Sequence, residues 1–437
     1  MSFNIGLSGL YAANKQLDVT GNNIANVATT GFKSSRAEFE DVYSATRLGT
    51  GSKTVGNGVR LANVSQQFGQ GDVNNTGNVL DMGIQGNGFF ILSDNGSLSY
   101  TRAGAFKTDA ENYVVDNNGN RLQGYGVDAN GKIINGVLTD LKIDTSSLKP
   151  NPTTRIDQTL NLNSSELSPT VATFSPTDTN SYNKTISTKV YDSQGNEHTM
   201  DQYYVKTGTN AWKMYTYMDG RTPSDPANNT LTPLTADIVF NSDGTVNTLT
   251  GSAGFANVGG TLTMTGWKPG AITDATTTPV TWGLNGADAA AAGIAVAMTK
   301  VSSYNSPTAR TAQYQDGYAT GQISSLTIDA SGVMTANFSN QQTKAIGQVA
   351  VASFANEQGL QPIGGTRWKE TFSSGVAGVD APQTGTLGAI VSNSLEESNV
   401  NLTNELVELI KAQSNYQANA KTISTQSTIM QTIIQMT

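Results

Sequence analysis

Apolar residues recur at helical spacing at both ends of this chain, and at strand spacing or in short runs between them. Near the C-terminus the series Leu402, Leu406, Leu409, Gln413, Tyr416, Ala420, Ile423, Ser427, Met430, Ile434 alternates steps of four and three. Near the N-terminus Phe3, Leu7, Leu10, Asn14, Leu17, Gly21, Ile24, Ala28 does the same. Such heptad seams predict two long amphipathic helices able to pair like a coiled coil. The N-terminal helix is expected to stop near Gly31, because glycine tolerates the positive φ of a helix C-cap.

The middle of the chain has a different period. From about residue 73 to 385, short apolar or alternating runs such as Phe89-Phe90-Ile91-Leu92 and Trp212-Lys213-Met214-Tyr215-Thr216-Tyr217 read as strands. One punctuation recurs between them, an Asp or Asn two or three residues before a Gly. It appears in Asp116-Asn117-Asn118-Gly119, Asp128-Ala129-Asn130-Gly131, Asp192-Ser193-Gln194-Gly195, Asn241-Ser242-Asp243-Gly244 and Asp329-Ala330-Ser331-Gly332. Asp and Asn bond their own backbone at a turn start and Gly supplies the left-handed residue. None of these segments has the carboxylate spacing of an EF-hand or the glycine spacing of an RTX repeat. They read as hairpin turns rather than calcium loops.

Composition shifts divide the chain further. Residues 31–72 return abruptly to charge, with glycines at 49, 51, 56 and 58, and read as an extended connector or a long hairpin. A Pro150-Asn151-Pro152 start and a loose stretch at 302–311 bracket an inserted segment. The expected fold is therefore mainly β with α-helical termini, built from two antiparallel β-domains, one inserted in the other. A terminal helical domain would take residues 1–30 and 399–437, and the connector 31–72 and 386–398. An inner β-domain would take 73–150 and 313–385, and an outer one 151–312.

Charge and chemistry narrow the function. The last 26 residues hold one charged side chain, Lys421, and the first 30 hold two, Lys15 and Asp18. Helices with Ser, Thr, Asn and Gln beside an apolar seam are suited to packing among other helices, not to standing alone in water. The net charge of −8 and the lack of basic runs argue against nucleic acid. Zero cysteines excludes disulfides and thiolate chemistry, and the single histidine, His198, reads as a surface position of a strand. No catalytic, metal or cofactor constellation emerges: Gly86-x-Gly88 lacks a third glycine, and Gly6-Leu7-Ser8-Gly9 is one residue short of a nucleophile elbow. The most apolar stretch, residues 289–298, is too short to span a bilayer, and no signal-peptide pattern stands at the N-terminus.

Two longer motifs carry a resemblance. Ser8-Gly9-Leu10, then Leu17-Asp18-Val19-Thr20-Gly21-Asn22-Asn23-Ile24-Ala25-Asn26 and Thr30-Gly31-Phe32-Lys33, resembles the N-terminal signature of the bacterial flagellar rod and hook family. Glu397-Ser398-Asn399-Val400-Asn401-Leu402 and Gln413-Ser414-Asn415-Tyr416-Gln417-Ala418-Asn419-Ala420 resemble its C-terminal signature, with Gln413 departing from an Arg in the family pattern. The length, the insert and Gly347-Gln348-Val349-Ala350 are similar to the hook-forming branch rather than to the shorter rod proteins.

The resemblance implies a structural, non-enzymatic subunit of a curved helical homopolymer that joins rod to filament, transmits torque and encloses an export channel. It implies an extracellular flagellar location and export by the flagellar type III apparatus without signal cleavage. The implied partners are further copies of the chain, distal rod, hook-cap and hook–filament junction proteins, with no nucleic acid and no membrane insertion. The implied subunit-interface residues are Leu7, Leu10, Leu17, Ile24, Leu402, Leu406, Leu409, Tyr416, Ile423, Met430 and Ile434. The matched signature residues are Asn22, Asn23, Asn26, Gly31 and Phe32. The alternatives are a distal rod-type subunit and, from a different class, an extracellular β-rich adhesin or glycan-acting protein.

Overall fold

The computed structural model describes residues 2–42, 56–128 and 131–436. Gly49 and Gly51 of the connector, and Ala129-Asn130 of one turn motif, lie outside the described residues. The chain forms two compact units: one from residues 1–145, 324–337 and 343–437, the other from 146–323 and 338–342.

The first unit contains both helices, α1 over Ser2–Ala25 and α2 over Leu402–Met436. At about 1.5 Å per residue, the 35 residues of α2 extend roughly 52 Å. α1 ends at Ala25, short of the expected Gly31. The side chain of Asn23 reverses the chain there: it donates to Ser35 O at 2.8 Å and accepts from Ser35 N at 2.9 Å. Val27, Thr29 and Thr30, poor helix formers, then make a turn instead. Gly31 has the expected positive φ, +68°, but it closes that turn rather than capping the helix.

The connector is a hairpin of Ser35–Asp41 against Val59–Gln66. Two short ladders continue from it: Val73–Asn75 pairs with Ser394–Glu396, and Met82–Gln85 with Ala389–Ser392. Beyond them lies a sheet whose central strand, Phe89–Asp94, has Phe89, Phe90, Ile91 and Leu92 all fully buried. A strand apolar on both faces needs cover on both, and it has two clusters. Phe90 and Leu92 pack with Phe106 and Leu122 on one side, Phe89 and Ile91 with Tyr100 and Trp368 on the other.

The second unit pairs a five-stranded antiparallel meander, from Lys184–Tyr191 to Val246–Gly251, with a six-stranded sheet. Alternate residues of the meander point inward, for example Met200, Gln202 and Tyr204, and Trp212, Met214 and Thr216. They meet Leu262, Ile294 and Val296 of the other sheet in one core. Pairing is not wholly antiparallel: Arg155–Asn161 runs parallel to Ile294–Ala297 and Val301–Ser302. The long connection from residue 161 to 294, which includes the whole meander, makes that parallel crossover feasible.

The Asp-to-Gly motifs form turns. Asp116 Oδ1 accepts from the amides of Asn118 and Asn120, both at 2.8 Å, and Gly119 has φ +85°. Asp329 does the same for Ser331 and Val333. These carboxylates are occupied by their own backbone. His198 differs from expectation: it lies on a strand but is 4% exposed, because Asp192 and Asp219 hold its ring between them. No helix among the described residues is long and apolar enough to cross a membrane.

Candidate functional site

α1 and α2 run antiparallel within the first unit. Gly6 lies beside Ile423, Gly9 beside Asn419, Gln16 donates to Glu408 at 3.1 Å, and Asn23 to Glu405 at 3.1 Å. The inward row of α1 is Gly6, Gly9, Ala13, Gln16, Thr20 and Asn23. Each of these stands one residue before a member of the leucine row, a rotation of about 100° around the helix. On α2 the inward positions include Glu405, Glu408, Ala412 and Asn419, again each one residue before the apolar row, together with Ile423 from that row.

The helices therefore meet through small and polar residues. A Cβ on Gly9 would lie 2.4 Å from Asn419 Oδ1, and one on Gly6 3.1 Å from Ile423 Cγ1. Helix spacing is set by the side chains at the contact, so two glycines permit the closest approach. Burial of Glu405 among these neighbours raises its carboxyl above the ordinary 4.5; the Asn23 amide opposes this and Glu408 adds to it.

This arrangement turns most of the predicted apolar row away from the centre of the seam, Ile423 excepted. Leu7, Leu10, Leu17, Ile24, Leu409 and Ile423 are half-buried at the edges of the seam. Leu402, Leu406, Tyr416, Met430 and Ile434 are exposed, Ile434 by 71%. Val407, Ile410, Ile429 and Ile433 are exposed as well. α2 thus exposes large apolar side chains near both of its ends and at Tyr416.

The signature residues anchor the base of the helix pair. Asn23 is 2% exposed and makes the chain-reversing bonds to Ser35. Asn22 is exposed, and its carbonyl caps Asn26, whose side-chain oxygen accepts from Thr29 Oγ at 3.2 Å. Gly31 donates its N–H to Glu396 O at 2.8 Å; a Cβ there would meet Ala103 N at 2.4 Å. Phe32 is half-buried and lines an open groove of about 540 Å³ with Asn22, Asn26 and Trp368. Asn399 of the C-terminal motif accepts from Ser34 N at 2.8 Å and donates to Gln67 O at 2.6 Å.

Beneath this turn lies a fully buried ion cluster that the sequence did not disclose. Lys33 Nζ donates to Glu396 Oε1 at 2.6 Å and to Gly69 O at 2.8 Å. Arg102 donates to Glu396 Oε2 at 3.1 Å and to Gly86 O at 2.9 Å, and Gly71 N adds a third donor to the carboxylate at 3.0 Å. Burial pulls the Lys33 amine below its ordinary range, against the opposing pull of Glu396. The cluster ties the connector, the C-terminal strand and the β-sheet to one carboxylate. The only sequence signal for it was a lysine placed directly after Gly31-Phe32.

Four family models match in chain order. They are a flagella basal body rod protein model at residues 3–33 and a flagellar hook protein FlgE/F/G D1 domain at 83–157. The others are a flagellar basal body protein FlaE D2 domain at 161–318 and a flagellar basal body rod FlgEFG protein C-terminal model at 391–436. The flagellar hook protein FlgE of Escherichia coli K12 is 39% identical, covering 100% of both chains. That of Salmonella typhimurium LT2 is 38% identical, also over 100% of both. The chain belongs to the flagellar hook protein family. A crystal structure of Helicobacter pylori flagellar hook protein FlgE2 shares the fold, with TM-score 0.51 over 74% of this chain and 99% of that one at 14% identity. Within the hook protein family frame, the two terminal models coincide with α1 and its turn and with α2 and the strands leading into it.

Proposed function

We infer that this chain is a structural subunit of the flagellar hook and that α2, with the edge of α1, joins it to further copies. The observation that carries the second part is the exposed apolar row on a helix whose inward contact is already filled by other residues. A lone helix in water does not keep Leu406, Ile410, Met430 and Ile434 exposed without cost, since each buried apolar side chain gains about 1.5–3 kcal/mol. Neighbouring copies are the cover that a homopolymer supplies in every subunit. The reading is of a mechanical part, not a catalyst.

The remaining roles follow from the family resemblance. The subunit would meet distal rod, cap and junction proteins at the tube's ends, and leave the cell through the flagellar export apparatus with its N-terminus intact. An uncharged Ser, Thr, Asn and Gln face on the end helices suits a channel wall that must not retain unfolded cargo. We assign assembly to residues 1–72 and 386–437, and stiffness and curvature to the inserted segment 151–312. The separate core of the second unit supports that division.

Assembly of purified chain, followed by sedimentation and electron microscopy, tests the interface. Leu406→Ser with Ile410→Ser should leave the monomer's thermal unfolding unchanged within about 0.5 kcal/mol, as for other exposed positions, while abolishing pelletable tubes. Normal tubes from this variant would place the subunit contact elsewhere.

A further inference from the structure

The second unit encloses the chain's single histidine in a geometry that a neutral ring cannot satisfy. His198 Nδ1 lies 2.7 Å from Asp219 Oδ2, and Nε2 lies 3.2 Å from Asp192 Oδ2. Carboxylate oxygens accept, so both ring nitrogens must be donors, which only an imidazolium provides. A neutral tautomer would set one nitrogen lone pair against a carboxylate oxygen at a ring that is only 4% exposed.

Asp192 is held in its charged form by its own donors. Asp192 Oδ1 accepts from Gln194 N and Asn196 N at 2.9 Å, and Oδ2 from the Asn196 and Asn285 side-chain amides at 2.8 Å. Burial opposes charge on Asp192, but these donors outweigh it and hold the carboxyl below its ordinary 3.8. Asp219 Oδ1 accepts from Thr199 N at 2.7 Å. Burial likewise opposes charge on His198, and Asp219 followed by Asp192 overcomes it, so the ring's pKa lies above 6.5.

The ring lies between the meander and the segment that joins Thr261–Met264 to Ile294–Ala297, two strands of the six-stranded sheet. His198 belongs to the meander strand Glu197–Gly208, and its ring meets Trp267 of that joining segment edge to face, at 5.2 Å between centroids. Asp192 reaches the same joining segment through Asn285, and the Asp192–Gly195 turn adds Ser193 N to Asp288 O at 2.9 Å. Other charged groups on these elements include Asp201, which adjoins Asp219, and Lys189, Glu197, Arg221, Lys268 and Asp288, while Lys184, Lys206 and Lys213 lie further along the meander strands. Lys189 and Glu197 pair with each other at the surface, the Arg221 guanidinium lies over Trp282, and Lys268 and Asp288 are exposed.

We propose that His198 is a protonated clamp that ties three strands of the meander together at one end, with the 265–293 segment packed on it through Trp267 and Asn285, and releases them on the alkaline side. A site whose folded proton affinity exceeds the unfolded one contributes its full stability below about pH 6.5, and loses it as pH rises through the folded midpoint.

Because there is one histidine, full-length monomer labelled with ¹⁵N-histidine gives a single ring signal to follow. At pH 7 both ring nitrogens should be protonated, and the midpoint should lie above 6.5. Asp219→Asn should lower that midpoint at least tenfold. The thermal midpoint by tryptophan fluorescence should fall from pH 6.5 upward in the wild-type chain and stay flat in His198→Gln. One bare ring nitrogen at pH 7, or a midpoint unmoved by Asp219→Asn, would overturn the clamp. So would the same alkaline loss of stability in His198→Gln.

Discussion

The buried cluster around Glu396 sets a measurable limit on how firmly the helices are anchored. Glu396→Gln keeps the side chain's shape and removes its charge, leaving Lys33 and Arg102 buried at 0% and 3% exposure with no counter-ion. Removing one partner of a buried ion pair costs about 3–5 kcal/mol. Lys33 sets the lower end, because burial already lowers its proton affinity and it can escape by deprotonating. Arg102 has no such escape. The loss should therefore be larger at pH 6 than at pH 9.

Hydrogen exchange with mass spectrometry on the full chain reads this locally. Peptides covering 31–41, 59–72 and 394–401 should exchange roughly 100- to 4,000-fold faster at about 1.4 kcal/mol per tenfold, while peptides of the second unit stay unchanged. Lys33→Met in the same chain should recover part of the protection by removing one stranded cation. Acceleration of less than about fivefold in all three segments would mean that the anchor lies in the backbone ladders and not in the ions.

Three further outcomes test the packing and the electrostatics. Gly9→Val should push Asn419 out of the seam and weaken helix pairing by about 1–3 kcal/mol, read as lost helical circular dichroism with both β-cores intact; Gly21→Ala, with open space around it, should raise helix stability by up to about 1 kcal/mol. Burial opposes charge on Asp316, but Thr154 and Arg155 donors hold its carboxyl below 3.8, so its stability contribution is present above about pH 3.8 and lost as pH falls through the folded value; acid titration of Asp316→Asn should show a shallower loss of second-unit fluorescence than wild type.

The parts most legible in the sequence were those governed by periodicity. Heptads marked both helices, and the Asp-to-Gly spacing marked the hairpins, because each depends on neighbours three to five residues away. The inward row of the helix pair was misread because apolar residues were taken to face the partner helix. Gly6, Gly9 and Ala13 repeat with the same period and approach more closely, so they take the contact and turn the leucine row outward. The Glu396 cluster and the His198 clamp were invisible for another reason. Each joins residues far apart in the chain, 363 for Lys33 and Glu396, and a single buried charge has no period. The parallel pairing of Arg155–Asn161 was missed likewise, since turn chemistry predicts hairpins and says nothing of crossovers.

An electron cryomicroscopy map of the tube assembled from this chain addresses the central claim directly. The account predicts that the α1–α2 seam through Gly6, Gly9 and Asn419 persists within each subunit. It also predicts that Leu406, Ile410, Met430 and Ile434 become buried against helices of neighbouring copies. A map in which these four side chains still face solvent or lumen, with copies joined through their β-domains alone, would contradict it.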